Sequence, residues 1–310
     1  MKFKPLSSKG LRTYSIKDRK SKVKVEDFAS LPPAGLSFND FLESLPNILA
    51  AKDLKSVVSA VLTAHKNKKT VALGIGAHVI KVGLSPLIID LMERGVVSSV
   101  AMNGAGVVHD FEVAFAGVTS EDVDKELGAG AFGMAEETGR LLNRAIKRGA
   151  KTGLGRAVGE MIGKSNFPNR DKSILAAGFR FDIPVTVHVA LGTDILHIHP
   201  SMDGAATGAA SLYDFKLFAS VVASLEGGVY INIGSAVIMP EVFLKALTLA
   251  RNLGHRVEEF TTVNMDFLQH YRPLTNVVRR PTLGKGAGYR LTGHHEIMVP
   301  LLYAAIMEGL

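Results

Sequence analysis

Apolar positions along this chain switch between two spacings, and the switches divide it into elements. The run "FNDFLESLPNILAAKDLKSVVSAVLTAHKNK", residues 38–68, repeats its apolar residues at helical spacing and predicts one or two amphipathic helices, with Pro46 at a break or a first turn. "KTVALGIG" (69–76) then reads as a strand, "LSPLIIDLMERG" (84–95) as a helix stopped by Gly95, and "VVSSVAMN" (96–103) as a strand. Such a strand–helix–strand unit closes right-handed with its strands parallel. "FGMAEETGRLLNRAIKRGA" (132–150) predicts a helix carrying a Glu136–Arg140 pair, and the stretch from there to Arg180 reads as a polar, glycine-containing connection.

Alternation resumes with "IPVTVHVAL" (183–191) as a strand, "LYDFKLFASVVASLEGG" (212–228) as a helix and "VYINIGSAV" (229–237) as a strand. "PEVFLKALTLARNLG" (240–254) follows as a helix and "HRVEEFTTVN" (255–264) as a strand. The order predicts a doubly wound, mostly parallel α/β sheet of Rossmann type, a single domain over 36–310 behind a basic arm at 1–35. Ligands of such sheets gather beyond the carboxyl ends of the strands. The loops to inspect are therefore 74–78, 103–111, 192–208, 232–237 and 261–266, four of which contain glycine. After Gly74 and Gly76 the third glycine of the dinucleotide fingerprint is replaced by Val79, so that loop alone is a weak nucleotide signal.

Composition narrows the chemistry. Without cysteine there are no disulfides, thiolate nucleophiles or cysteine-ligated metals. The net charge of +7 is concentrated at the start: residues 1–24 hold nine Lys and Arg against one Asp, leaving 27 basic and 28 acidic residues for the rest. A short basic tail on a neutral body, without aromatic interleaving, argues against nucleic acid as the partner. No run of eighteen apolar residues suggests a membrane span, and the basic start lacks the apolar stretch of a secretory signal, so the expected compartment is the cytoplasm.

"LGIGAHVIKVGLSPLIIDLMERGVVSSVAMNGAGVVHDFEVAFAG", "DIPVTVHVALGTDILHIHP", "YINIGSAV" and "VPLLYAAIMEG", taken in order, resemble the deoxyhypusine synthase family from about residue 70 to the C-terminus. The resemblance implies NAD as cofactor, a homotetramer with ligand sites between subunits, and aminobutyl transfer from a polyamine. The glycine loops would hold the cofactor, with Gly74, Gly76, Asn103, Gly104, Gly106, Asp110, Gly234, Ser235, Thr262, His294 and His295 as candidates. Asp194 best matches the substrate-loop carboxylate that holds a polyamine ammonium. The chain departs from the family at the imine-forming lysine, where a count back from Val299-Pro300 lands on Arg280 and Pro281; an arginine cannot form that imine. Lys285 could serve only if the loop is shifted. Met239, Pro240 and Glu241 stand where the family has a helix-start histidine, and Asp266 is the remnant of its acidic loop.

His197 and His199 share a face if 195–199 is extended, so Asp194, His197 and His199 are the candidate substrate-binding or proton-handling groups. His188, His197, His199 and Asp203 together make an alternative metal-dependent hydrolase site. "HHE" at 294–296 serves either as a helix start or as cofactor contacts, and Asp110 either as a helix residue or as a ribose contact. "RRPTLGKGAGYR" (279–290) is a solvated loop or an anion site but no P-loop. The leading expectation is an NAD-binding enzyme acting on a small polar, amine-like substrate. The alternatives are a spermidine-dependent aminobutyl transferase of deoxyhypusine or homospermidine synthase type using Lys285, the metal hydrolase, and a non-catalytic ligand-binding oligomer.

Overall fold

A computed structural model describes residues 3–310. Its frame is a parallel sheet of six strands: β1 (Val71–Ile75), β2 (Ser99–Asn103), β3 (Val185–His188), β4 (Val229–Ile233), β5 (Thr261–Asp266) and β6 (Ala287–Thr292). They lie in the order β3-β2-β1-β4-β5-β6, every neighbouring pair parallel. Connections leave β1 toward β2 on one side and β4 toward β5 on the other, so the order reverses between β1 and β4 and opens a crevice at their carboxyl ends. Residues 3–35 carry only two short 3-10 turns, and nearly all are exposed.

The register sorts the strand residues into two unlike faces. Val71, Leu73, Ile75, Val100, Met102, Val187, Ile231, Ile233, Val263 and Met265 share the aliphatic face, which packs the larger core with helices Leu49–Lys66, Ser85–Glu93, Gly104–Ala116, Ile174–Phe181 and His295–Glu308. On Leu49–Lys66 the buried stripe is Leu54, Val57, Val61 and Ala64, at helical spacing, and each buried Leu or Val contributes roughly 1.5–3 kcal/mol. The opposite face is small and polar: Ala72, Gly74, Ala101, Asn103, His188, Tyr230, Asn232, Thr262 and Asn264. Helices Gly204–Ala223 and Ile238–Asn252 cover it with Phe218, Val222, Phe243 and Ala246, and Tyr230 stacks on Phe243 at 3.9 Å.

An amide chain ties the carboxyl edge of that polar face together. Asn232 Nδ2 donates to Asn264 Oδ1 at 2.7 Å and to the Ser235 carbonyl at 2.9 Å; Asn264 Nδ2 donates to Gln269 Oε1 at 2.8 Å; Gln269 Nε2 donates to the Leu291 carbonyl at 3.1 Å. Buried side-chain amides linked in series specify one arrangement of the loops they join, here those after β4 and β5 and the end of β6.

Five elements differ from the sequence reading. The connection before Arg180 contains helices Leu154–Gly163 and Ile174–Phe181; Gly155 and Gly159 of the first lie against the carbonyls of Val185 and Leu175, a close approach that a side chain would block. The helix expected at 212 begins at Gly204, because Asp203 caps it by accepting the Ala206 N–H at 3.0 Å. The strand expected from 255 begins at Thr261, and part of the expected charged loop 279–290 is the edge strand β6.

Candidate functional site

The crevice is built where two backbones touch. Gly76 N–H donates to the Ile233 carbonyl at 2.8 Å, and a Cβ on Gly76 would lie 2.1 Å from the Gly234 carbonyl oxygen. Gly234 has φ +66°, and its Cα faces the His295 imidazole so closely that a Cβ would come within 2.9 Å of the ring. His295 opens the closing helix and is 1% exposed; neither of its ring nitrogens has a hydrogen-bond partner. Its Nε2 lies 3.6 Å from Asp266 Oδ1, at the end of β5. Burial holds the imidazole pKa below its ordinary value, and the Asp266 charge opposes this. His78, from the loop after β1, packs edge-on to His295 at 5.5 Å between ring centres, and Phe267 packs against both His294 and His295. Ser235 Oγ accepts the Met239 N–H at 3.1 Å and so starts the fifteen-residue helix Ile238–Asn252, whose N-terminal turn follows the Gly234–Val237 loop.

Five expected cofactor residues, Gly76, Gly234, Ser235, His294 and His295, thus meet at the crevice. The others do not. Gly74 lies inside β1 with the Tyr230 hydroxyl against its Cα, and Thr262 is fully buried near the amino end of β5. Asp110 is fully buried and accepts from Ser173 Oγ at 2.5 Å and from the N–H groups of Ile174 and Leu175, so it caps helix Ile174–Phe181 and reaches no ribose. Burial pushes its carboxyl up to about 6 against those hydrogen bonds.

Asn103, Gly104 and Gly106 form the start of helix Gly104–Ala116. Asn103 Oδ1 accepts the Gly106 N–H at 3.1 Å, and the Asp194 carboxylate lies on the Gly104 Cα. The chain's own carboxylate therefore takes the place beside that helix start where a phosphate would sit. Asp194 Oδ2 is buried without a partner, and burial raises its carboxyl pKa, opposed by His197, Thr193 and the Ala105 N–H. A cavity of about 160 Å³ opens beside it, lined by Asp194, His109, Glu112, Glu121, Phe132 and Ile195 among others.

The imidazoles of 197 and 199 do not join Asp194 in that cavity. Residues Ile195–His197 form a 3-10 turn instead of an extended segment, which removes the shared face. His197 Nδ1 accepts the N–H groups of Gly192 and Asp194, each at 3.2 Å, and so holds its own loop. His199 lies against Gly139, with Nδ1 accepting the Ser201 N–H at 3.1 Å and Nε2 3.4 Å from Glu136. His188 is buried in the sheet beside Thr186 Oγ1 at 3.0 Å, and Asp203 caps its helix 3.5 Å from Lys147. The four groups of the metal reading are separately engaged, and among the described residues no cluster of three His, Asp or Glu could hold a metal ion.

Lys285 precedes β6 and pairs with Glu259 at 3.5 Å and Glu258 at 3.7 Å, residues that precede β5. It lies at the amino end of parallel strands whose carboxyl ends form the crevice, a six-residue strand or about 20 Å away. That placement sets Lys285 apart from the crevice of its own chain. Arg280 donates to Asn276 Oδ1 at 2.9 Å.

Sequence reasoning passed over His78 and Phe267, although both lie in or beside loops singled out by position. It also passed over Glu112, Thr119 and Glu121, which no motif marks.

The strand order and crevice define a Rossmann-type α/β protein. No family model matches the chain, and no curated protein does. Among solved structures, a conserved protein from Methanococcus maripaludis S2 assigned to the LOR/SDH group superposes over 90% of this chain and 74% of that one, with a TM-score of 0.55 and 15% identity. A protein from Entamoeba histolytica assigned as a deoxyhypusine synthase matches over 88% and 94%, with a TM-score of 0.51 and 12% identity. AgrE, solved as a ternary complex with ornithine and NAD+, matches over 84% of this chain and 34% of its own, with a TM-score of 0.54 and 15% identity. This chain spans about a third of AgrE's length. Likeness at these identities is a likeness of fold. No helix among the described residues is long and apolar enough to cross a membrane.

Proposed function

We propose that the chain is an enzyme that binds NAD or a related dinucleotide in the β1/β4 crevice and acts on a small, amine-bearing substrate in the acidic cavity beside Asp194. The observation that carries this reading is His295: a buried imidazole with two unpartnered nitrogens, lying on Gly234 where the strand order reverses. Buried polar atoms without partners are rare and costly, and beside a crevice a bound ligand can complete their bonding. The Gly234–Val237 backbone, at the start of a fifteen-residue helix, suits an anionic pyrophosphate, and His295 and His78 suit the polar edges of a ring or ribose. When bound, such a cofactor supplies a hydride acceptor; this chain's residues bind and orient it. The solved complex of AgrE with ornithine and NAD+ adds weight through the shared fold. Assembly as a tetramer belongs to the same proposal, to be read by light scattering.

Calorimetric titration with NAD, NADP and ATP tests the reading. A dinucleotide should bind the wild type and bind His295→Ala at least tenfold more weakly. Equal affinity for both, or no binding to the wild type, would remove the crevice as a cofactor site.

A further inference from the structure

The cavity beside Asp194 contains a hydrogen-bond relay whose directions can be worked out. Thr119 Oγ1 donates to Glu112 Oε2 at 2.5 Å, and Thr138 Oγ1 donates to Glu112 Oε1 at 3.1 Å. The Thr119 hydroxyl has one proton, now spent on Glu112. Its contact with His109 Nδ1, at 2.7 Å, must therefore be one it accepts, so Nδ1 carries the hydrogen. A neutral imidazole protonated at Nδ1 presents a bare Nε2, and among the described residues that nitrogen has no hydrogen-bond partner while the ring lines the cavity. The ring stays neutral because burial, with the Lys81 charge second, holds its pKa at about 4.

Of the unspent side-chain groups around the cavity, the carboxylates and the His109 ring nitrogen accept, and the Ser120 hydroxyl either donates or accepts. Asp194 lines the cavity with its carboxylate, Glu121 uses one oxygen on the Gly133 N–H at 2.8 Å, and His109 offers Nε2. Val108, Phe132 and Ile195 supply the apolar wall. A cavity of about 160 Å³ has room for roughly five heavy atoms, at about 30 Å³ each.

We propose that this cavity takes the amino end of a small aliphatic amine, that His109 Nε2 accepts one of its N–H groups, and that Thr119 and Glu112 are positioning residues that fix the imidazole in the accepting tautomer. The inference deepens the substrate half of the proposed function and rests on it. An ammonium group has three donors and no acceptor, which matches the Asp194 and Glu121 carboxylates and the bare His109 nitrogen; an alcohol of the same length brings one donor and no charge. The opposite tautomer would aim a donor at the cation.

The experiment uses the full chain, with nitrogen-15 NMR of the histidine side chains and calorimetry with propylamine and 1-propanol. Expected are an Nδ1–H signature for His109, binding of propylammonium and no binding of propanol. Thr119→Val should shift His109 toward the Nε2–H form and weaken propylammonium about tenfold, the loss of a hydrogen bond to a charged group, with an unchanged melting transition as the control for folding. An Nε2–H signature in the wild type, equal binding of amine and alcohol, or a folded Thr119→Val with unaltered tautomer and affinity would each overturn the proposal. A parallel titration with NAD separates the two readings. Amine binding that depends on Thr119 without NAD binding leaves this inference standing and removes the cofactor, whereas NAD binding without amine binding removes this inference alone.

Discussion

His295 Nε2 lies 3.6 Å from Asp266 Oδ1 in a region where both side chains are almost fully buried. Burial keeps the imidazole neutral against the pull of the carboxylate. Removing the charge with Asp266→Asn should lower the His295 pKa further, since the opposing influence is gone and burial remains. NMR titration of the ring checks this; a pKa that rises in the variant would show that the two groups do not share the crevice floor.

Gly76 and Gly234 bring two loops into backbone contact, and the two positions should fail differently. A methyl on Gly76 meets a carbonyl oxygen of the neighbouring loop, which no rotamer change relieves. At Gly234 it meets a side chain that can shift, but the positive φ remains. We expect Gly234→Ala to cost about 1–2 kcal/mol from the backbone conformation, and Gly76→Ala to cost more, both read from urea midpoints. Dinucleotide affinity should fall in both variants, because the crevice is made of these contacts.

Lys285→Ala should leave both dinucleotide and amine affinity unchanged and move stability by no more than about 0.5 kcal/mol. The ammonium is exposed and its partners Glu258 and Glu259 lie at the amino end of the sheet. Loss of ligand binding in this variant, measured by the same calorimetry, would contradict the placement of the site.

The sheet was legible because its strands carry period-two or unbroken apolar runs bounded by glycine, and four of the five strands foreseen fall within their expected windows. β6 was not, since an edge strand has one flank in water and "AGYRLT" lacks an apolar run. Helix Leu154–Gly163 was hidden by its glycines, which reduce helix propensity in the sequence but permit close packing in the structure. Position at strand ends singled out Gly76, Gly234 and Asp194, whereas His295 entered only with the family resemblance. What it could not supply was side-chain direction: one 3-10 turn at Ile195–His197 separated two histidines that an extended reading places together. The His109–Thr119–Glu112 relay joins residues from a helix and the loop beyond it, so no spacing rule reveals it.

Asp214 supplies the clearest pH dependence of stability. From the centre of helix Gly204–Ala223 its Oδ2 accepts the Gly155 N–H at 2.9 Å and the Val187 N–H at 2.8 Å, tying a helix start and the edge strand β3 to one carboxylate. Burial raises its pKa to about 7 in spite of these bonds. In the unfolded chain the same group titrates near 3.8. Between these values the folded state holds a proton that the unfolded state has lost, so stability falls as pH rises through about 7 and the cost is complete above it. His188 acts in the opposite sense. Burial lowers its pKa to about 3, so its neutral form is retained in the fold while the unfolded ring protonates below about 6.5, and stability drains away from there toward pH 3. Asp214→Asn keeps an acceptor for both N–H groups and has no charge to bury. It should therefore gain on the wild type by on the order of 2 kcal/mol between pH 5.5 and 8, a difference from which the shared His188 contribution cancels. Asp214→Ala leaves the two N–H groups without a partner and should be destabilised by about 2–4 kcal/mol, as read from denaturation midpoints across that range. A wild type and Asn variant with parallel pH profiles would show that the carboxyl is ionised throughout and that burial does not govern it.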